Sequence, residues 1–312
     1  MAKRKAQKLD EQQLKALVAA EIQDAELYQT NEVSGDRERA INYYNGVMPD
    51  TPAAEGWSEF KSRDVSDVMG WVLPGIIRVF TASDRMVEYE PRRPGDEQFT
   101  DQASDYANYV FWNDNPGYRI LWDATHDSLQ MADGIVKTYW DDSEECDYSV
   151  YSGLSIEAVT LLKDDPDVEI VSQAMQPITL EDGMGGSEVV ETFDLKIKRV
   201  TSAGRIKMEA IEPENFLIDK EAITIKDARF VAHRDPHMTR SGLIEMGFDK
   251  DVVDAIPRYS ATASGRAPEE QARNKFSTSS SLGDKSMDRI ELYECYVRAD
   301  MNDDGIAETV RV

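Results

Sequence analysis

The longest apolar run in the chain, Val68 to Phe80, is broken only by Gly70, Pro74, Gly75 and Arg78, and a run this apolar has to be covered. Asp64 or Ser66 can cap a helix start ahead of it, and Trp71, Leu73, Ile76, Ile77 and Phe80 recur at near-helical spacing. Pro74 lacks an N–H and crowds the preceding turn, which predicts two short helices or a kink. The expectation is a core helix whose Trp71, Ile76, Ile77 and Phe80 are buried against a second helix over Tyr106–Phe111. Alanine at Trp71 or Phe80 would then cost roughly 3–5 kcal/mol. Val87-Glu88-Tyr89-Glu90 follows with strand-like alternation.

Charge narrows the function classes. With 60 acidic and 35 basic residues among 312, the formal net charge is −25. A free-standing duplex binder gains affinity by releasing counterions with Lys and Arg, so this balance argues against one. It is compatible with a protein that DNA slides past, because an acidic wall repels phosphate. Cys146 and Cys295 are the only cysteines and lie far apart, as in a reduced, intracellular protein. No apolar run reaches the roughly 18–20 residues needed to cross a bilayer, so no membrane partner is expected. The basic start, MAKRKAQKLDEQQ, has no apolar segment behind it and is not a secretory signal.

Asp10 with Gln13 forms a capping box for a helix whose face is Leu14, Leu17, Val18, Ile22 and Ala25, with Gly35 as its break. A second helix spans 36–45. Ala103, Tyr106, Ala107, Val110 and Phe111 mark the inward face of another, which Asn115-Pro116-Gly117 stops; a further helix runs from about Tyr118 to Ala132, with Gly134 as its stop. Ile135–Trp140 reads as a strand and the acidic 141–147 as loop. Ser155 caps a short helix. Strands over 168–175 and 192–200 are joined by a glycine-rich loop at 182–187, and Ser202-Ala203-Gly204 turns the chain into a hairpin with 205–211. Residues 228–233 form a strand, and Thr239 caps a helix followed by another from Asp249 to Ile256. The Ser-, Ala- and Gly-rich 258–288 reads as a mobile loop. Two strands then pair about Asn302–Gly305. Val312 falls inside the second of them, which reads as a chain truncated from a longer protein.

Three constellations bear on chemistry. His233, Asp235 and His237 form H-x-D-x-H, which places imidazole and carboxylate ligands on one strand face only while the strand lasts, and Pro236 ends it. The one other histidine is His126. Asp300, Asn302, Asp304 and Gly305 match the opening of a calcium loop, but its twelfth position is Arg311 rather than glutamate; Asp300, Asn302, Asp304 and Glu308 remain a weak cation candidate beside a simple Asn/Asp hairpin turn. Asp182-Gly-Met-Gly-Gly-Ser lacks the Gly-Lys-Ser/Thr ending of a phosphate-binding loop. Trp112, Trp122 and Trp140 read as core anchors, since few basic residues interleave with them. No catalytic residue and no cofactor are expected.

The succession AINYYNG (40–46), SRDVSDVMGWVLPGIIRVFTASDRMVEYEP (62–91) and DQASDYANYVFWNDNPGYRILWDATHDSLQMADGIVKTYW (101–140) resembles portal proteins of short-tailed bacteriophages. So do IEPENFLIDKEAITIKDARFVAHR (211–234), TRSGLIEMGFDKDVVDAIP (239–257) and LYECYVRADMNDDGIAETVRV (292–312). The resemblance implies a homo-oligomeric ring, usually of about twelve subunits closed head to tail. It would sit at one capsid vertex of the virion, after assembly in the host cytoplasm. Its implied partners are the packaging terminase, capsid and tail adaptor proteins, with double-stranded DNA passing through the channel without tight binding. It also implies that this chain is the N-terminal, wing-like part, with stem and clip regions beyond Val312.

The fold class expected is α+β, an N-terminal helical region packed on a β-rich, wing-like region with antiparallel hairpins. Its parts are an N-terminal helix and tail at 1–35, a helical wing core at 36–150, a β-rich region with two short helices at 151–257, the mobile loop at 258–288 and the hairpin at 289–312. Two alternatives are another structural or adaptor protein of a virion and a metal-dependent enzyme using His233, Asp235 and His237.

Overall fold

Asp10 opens the first helix as its spacing predicts: its side chain accepts from the Glu11 amide, and Gln13 reaches back to the Asp10 N–H at 3.1 Å. The structure, a computed structural model, describes residues 10–48, 56, 60–83, 85–182, 186–259, 268–273, 284–302 and 304–312, without the side chains of 143–145, 178–190 and 201–203. In chain order the helices and strands are α1 (Glu11–Tyr28), α2 (Ser34–Tyr44), α3 (Asp64–Thr81), α4 (Glu97–Tyr109), α5 (Gly117–Met131), β1 (Ile135–Leu154), α6 (Ile156–Lys163), β2 (Val168–Asp182), β3 (Gly186–Ile211), β4 (Phe216–Ile218), β5 (Phe230–Asp235), α7 (Arg240–Glu245), α8 (Lys250–Ala255), α9 (Pro268–Arg273), β6 (Leu292–Ala299) and β7 (Glu308–Arg311). The fold is α+β with antiparallel hairpins.

The chain divides into two compact units. One comprises Met1–Asn108, Pro116–Lys137 and Glu209–Val312; the other comprises Tyr109–Asn115 and Thr138–Met208. In the first, strands β4-β5-β6-β7 form an antiparallel sheet, and β5 alternates strictly between buried and half-buried positions. Phe230 and Ala232 on its buried face pack with Leu217, Cys295 and Val297 against Val18 and Ala25 of α1. The predicted α1 stripe is the face that meets the sheet, with Leu14, Leu17 and Ile22 at its margin. A satellite core of Leu243, Val253 and Ile290 ties α7 and α8 to the residues before β6. Thr239 caps the first of them as expected, accepting from the Gly242 amide; the second starts one residue later than expected, with Asp249 as its cap, accepting from the amides of Asp251 and Val252.

The second unit is a sheet of order β1-β3-β2, with α6 covering Phe193, Leu195 and Ile197 through Val159. The hairpin of β2 and β3 pairs Val168 with Arg199 through to Asp182 with Gly186, longer than its apolar residues alone suggest. Three expectations fail in this region. The acidic 141–147 segment is part of β1 rather than a loop. No hairpin forms at 202–204; β3 continues through Gly204, whose φ is +74°. A Cβ there would lie 2.6 Å from the Trp140 ring, so glycine both bends the strand and lets the indole lie on it. Trp140 itself is 59% exposed and is not a core anchor.

The helices of the first unit correct the opening expectation most. α3 runs unbroken from Asp64 to Thr81 with Pro74 inside it, and packs on α5 and α2. Its buried face is Met69, Leu73 and Ile77; Trp71 is 79% exposed and Phe80 is exposed too. Neither is a core residue, and alanine at Trp71 should barely change the stability of a single subunit. The helix after it departs in part: Val110 and Phe111, just past the end of α4, are buried as expected. Ser104 and Asn108 are its buried residues, whereas Ala103 and Tyr106 face solvent.

The reason is an unpaired extended segment beside α4. Asn108 Oδ1 accepts from the Met86 and Val87 amides at 2.8 and 3.2 Å, and its Nδ2 donates to the Val87 carbonyl at 2.8 Å. Ser104 Oγ accepts from the Tyr89 amide at 2.9 Å. These polar side chains stand where a neighbouring strand would, and satisfying buried backbone groups outweighs burying Ala103 or Tyr106. Asn108→Ala orphans two N–H groups and a carbonyl at once, so a loss of about 2–3 kcal/mol is expected in denaturant melts, against under about 0.5 kcal/mol for exposed Ala103→Ser.

Candidate functional site

Gly35 does not break the first helix. α1 passes into α2 through a π-helical turn, Gln29–Val33, and the extra residue per turn directs Gln29 and Ser34 inward. Gln29 Nε2 donates to the carbonyls of Pro213 and Glu214 at 3.3 and 3.2 Å. Arg37, one turn on, donates to the Pro213 carbonyl at 3.1 Å and to Asp133 at 2.7 Å. Asp133 is brought there by a tight end to α5: Ala132 takes the left-handed cap at φ 70°, and a Cβ on Gly134 would stand 2.4 Å from the Ala124 carbonyl. Gly134 therefore serves close packing, while the cap falls two residues earlier.

Into this socket fits α9, in the stretch expected to be a mobile loop. Pro268–Arg273 form a helix against α2, with Glu269 and Glu270 both buried. Glu269 Oε1 accepts from Ser34 Oγ at 2.8 Å. Glu270 pairs with Arg234 at 2.8 Å and accepts from the Tyr259 hydroxyl. Arg273 Nε lies 2.7 Å from Glu214 Oε1, its Nη2 3.2 Å from Oε2 and 3.4 Å from Asp127, which in turn lies 3.6 Å from His126. Arg234 comes from β5, on the same face as Phe230 and Ala232, and also donates to Asn215 Oδ1 from Nε and Nη2 at 3.1 and 2.9 Å. Burial alone would loosen the Arg234 proton, but the facing Glu270 and Glu291 carboxylates outweigh it and raise its pKa.

Glu214 is the titratable group of the network. Burial drives its carboxyl up to about 7 from an ordinary 4.5, against the pull of Arg273. A raised carboxyl binds a proton in the folded state that the unfolded chain has released, so its stability contribution is full below about 4.5 and is lost as pH rises through about 7. His233 acts with the opposite sign: burial and Lys137 hold its pKa below 6.5, so its contribution is present above 6.5 and lost as pH falls. Glu214→Gln is expected to flatten the decline of stability between about pH 4.5 and pH 7, read from urea midpoints; an unchanged slope would place the titration elsewhere.

The residues singled out in the sequence are placed differently. His233 and Asp235 share the half-buried face of β5, but His237 lies beyond the strand, where its amide donates to Asp235 at 2.8 Å. His233 Nδ1 stands 3.2 Å from the Lys137 ammonium, which also pairs with Glu294 at 2.7 Å; Glu294 further pairs with Arg311 at 2.9 Å. An imidazole nitrogen accepting from an ammonium is not offered to a metal. Asp300, Asn302, Asp304 and Glu308 do converge in one turn. Asp300 accepts from the amides of Asn302, Asp304 and Gly305, and Glu308 from the Met301 amide and the Asn302 side chain. Among the described residues no group of three or more His, Cys, Asp or Glu could hold a metal ion. An apolar recess of about 370 Å³ beside α3, lined by residues including Ala40, Tyr43, Val65, Val68 and Leu129, is touched by none of these candidates.

Sequence reasoning missed the whole α9 network. Its one visible signal was Arg234 at an inward position of an alternating strand, which calls for an acid nearby. The buried charges bind the chain's own segments to one another, from α2 and α5 to β5 and α9. The family model described as Phage SU10 portal protein matches residues 14–312, and the chain belongs to that family of phage portal proteins. No curated protein matches the sequence.

Proposed function

We propose that the chain acts as one subunit of a portal ring of about twelve copies closed head to tail at a single capsid vertex. DNA enters and leaves through the ring, the packaging terminase docks on it during filling, and capsid and tail adaptor proteins hold it in the virion. Assembly takes place in the host cytoplasm. The observation that carries this reading is the family match over residues 14–312.

The acidity supports it physically. At a net charge of −25 the subunit repels phosphate, which lets DNA slide rather than stick. No helix among the described residues is long and apolar enough to cross a membrane. Native mass spectrometry of the natural-length protein, paired with duplex retention on filters, tests the reading. A single ring species that fails to retain DNA at about 0.15 M salt is expected. A discrete monomer that binds duplex tightly would refute it.

A further inference from the structure

α9 is held differently from α7 and α8. Those two bury Leu243 and Val253 in one apolar core with Ile290. The buried residues of α9 are Glu269 and Glu270, and none of its side chains belongs to an apolar core among the described residues. Six residues are too few for a helix to persist on its own, so α9 is helical only while its partners hold it.

Those partners come from four elements. Ser34 of α2 gives Glu269 a hydroxyl, but Glu269 Oε2 has no hydrogen-bond partner among the described residues, although the residue is 0% exposed. A carboxylate buried with only a neutral donor is costly to desolvate. Glu270 is set against Arg234 of β5. Arg273 closes over the Pro213–Asn215 turn and α5, on Glu214 and Asp127 and 3.7 Å from Met131 Sδ. A piece joined through polar contacts, with one acid uncompensated, opens at less cost than the apolar core beneath it. In the sequence eight residues separate α9 from Tyr259 and ten from Asp284. Eight residues of chain span up to about 26 Å, so α9 can lift without moving either neighbour.

Glu214 sets the direction of the response. The charged groups that face its carboxyl are Arg273 of α9, Asp127 of α5 with His126 3.6 Å behind it, and Glu212 on its own turn. Arg37 of α2 and Arg234 of β5 point instead at the backbone carbonyls of Pro213 and Glu214. One guanidinium therefore serves three acids, and a proton on Glu214 relieves the excess. When α9 lifts, Arg273 leaves with it and the carboxyl meets water. Burial outweighs the pull of Arg273 and raises Glu214 to about 7, so the docked state holds a proton that a solvated carboxyl releases near 4.5. Docking is therefore at full strength below about 4.5 and weakens as pH rises through about 7.

We infer that α9 is a detachable strap, docked on α2, β5 and the Pro213–Asn215 turn while Glu214 carries a proton and released as that proton is lost, with the rest of its unit still folded. The latch lies within one subunit and does not depend on the ring reading above.

Hydrogen exchange of the full chain, read by mass spectrometry on fragments covering 268–273 and 230–235, tests it. Dividing each rate by the intrinsic rate at the same pH removes the pH dependence of the exchange chemistry. The α9 amides should be at least about tenfold less protected than those of β5 at each pH. Their protection should fall by up to about tenfold per pH unit between about 4.5 and 7. Glu214→Gln, which keeps the neutral shape, should remove that fall and leave α9 less protected than β5. Equal protection of α9 and β5 would show that α9 opens only with the whole fold, and would overturn the strap. No fall in the unsubstituted chain, or the same fall in Glu214→Gln, would overturn its control by this proton.

Discussion

Arg234→Ala is expected to destabilise the protein by about 3–5 kcal/mol, because it removes the guanidinium that faces the buried Glu270 carboxylate. Arg234 and Glu270 are 6% and 3% exposed, and the guanidinium also serves Asn215 and lies 3.6 Å from Glu291. Its loss therefore leaves an acid without its cation and an amide oxygen without its donor. The charge, rather than the volume, is the reason. A paired Arg234→Met, Glu270→Leu replacement should recover most of the loss, since two apolar groups of similar size need no partner. The double cycle is read from urea midpoints, and additive losses would show that the two side chains do not act as a pair. The single variant should also release α9, so limited proteolysis near Pro268–Arg273 should quicken before the rest of the chain is cut.

Phe230→Ala should cost a similar 3–5 kcal/mol through a different mechanism, an apolar cavity. Phe230 is 0% exposed, pairs across the sheet with Val297, and contacts the cluster that joins β4 and β6 to Val18 and Ala25 of α1. It sits between α1 and the sheet, and the cavity would loosen both. Phe230→Leu, which keeps most of the volume, should lose well under half as much. A loss below about 1 kcal/mol for the alanine variant would mean that α1 is not held through this core.

Both positions show how far the sequence could be read. The α1 face, the caps at Ser155 and Thr239, and the hairpin of β6 and β7 were legible because each is fixed by residues close in sequence: a 3.6-residue stripe, a side chain reaching its own next turn, an Asn/Asp/Gly turn. Trp71 and Phe80 on α3 and Ala103 and Tyr106 on α4 were misread, although Leu73, Ile77, Val110 and Phe111 are buried as expected. Apolar spacing marks a face without saying what covers it, and α3 has two such faces. On α4 the deciding partners, the amides of Met86, Val87 and Tyr89, lie 15 to 22 residues away. Long-range pairing also hid α9: Ser34 meets Glu269 across 235 residues, a distance no local pattern reports. The H-x-D-x-H motif turned on where its strand stops: Pro236 was expected to end it, and it ends at Asp235, with Lys137 beside the histidine.

The family was legible from segments spread over the chain, although none of them is a catalytic motif. The most direct test of that account is negative-stain electron microscopy of the natural-length protein at micromolar concentration. Closed annular particles with a central channel are the predicted result. A monodisperse monomer, with no annular particles as concentration rises, would contradict it.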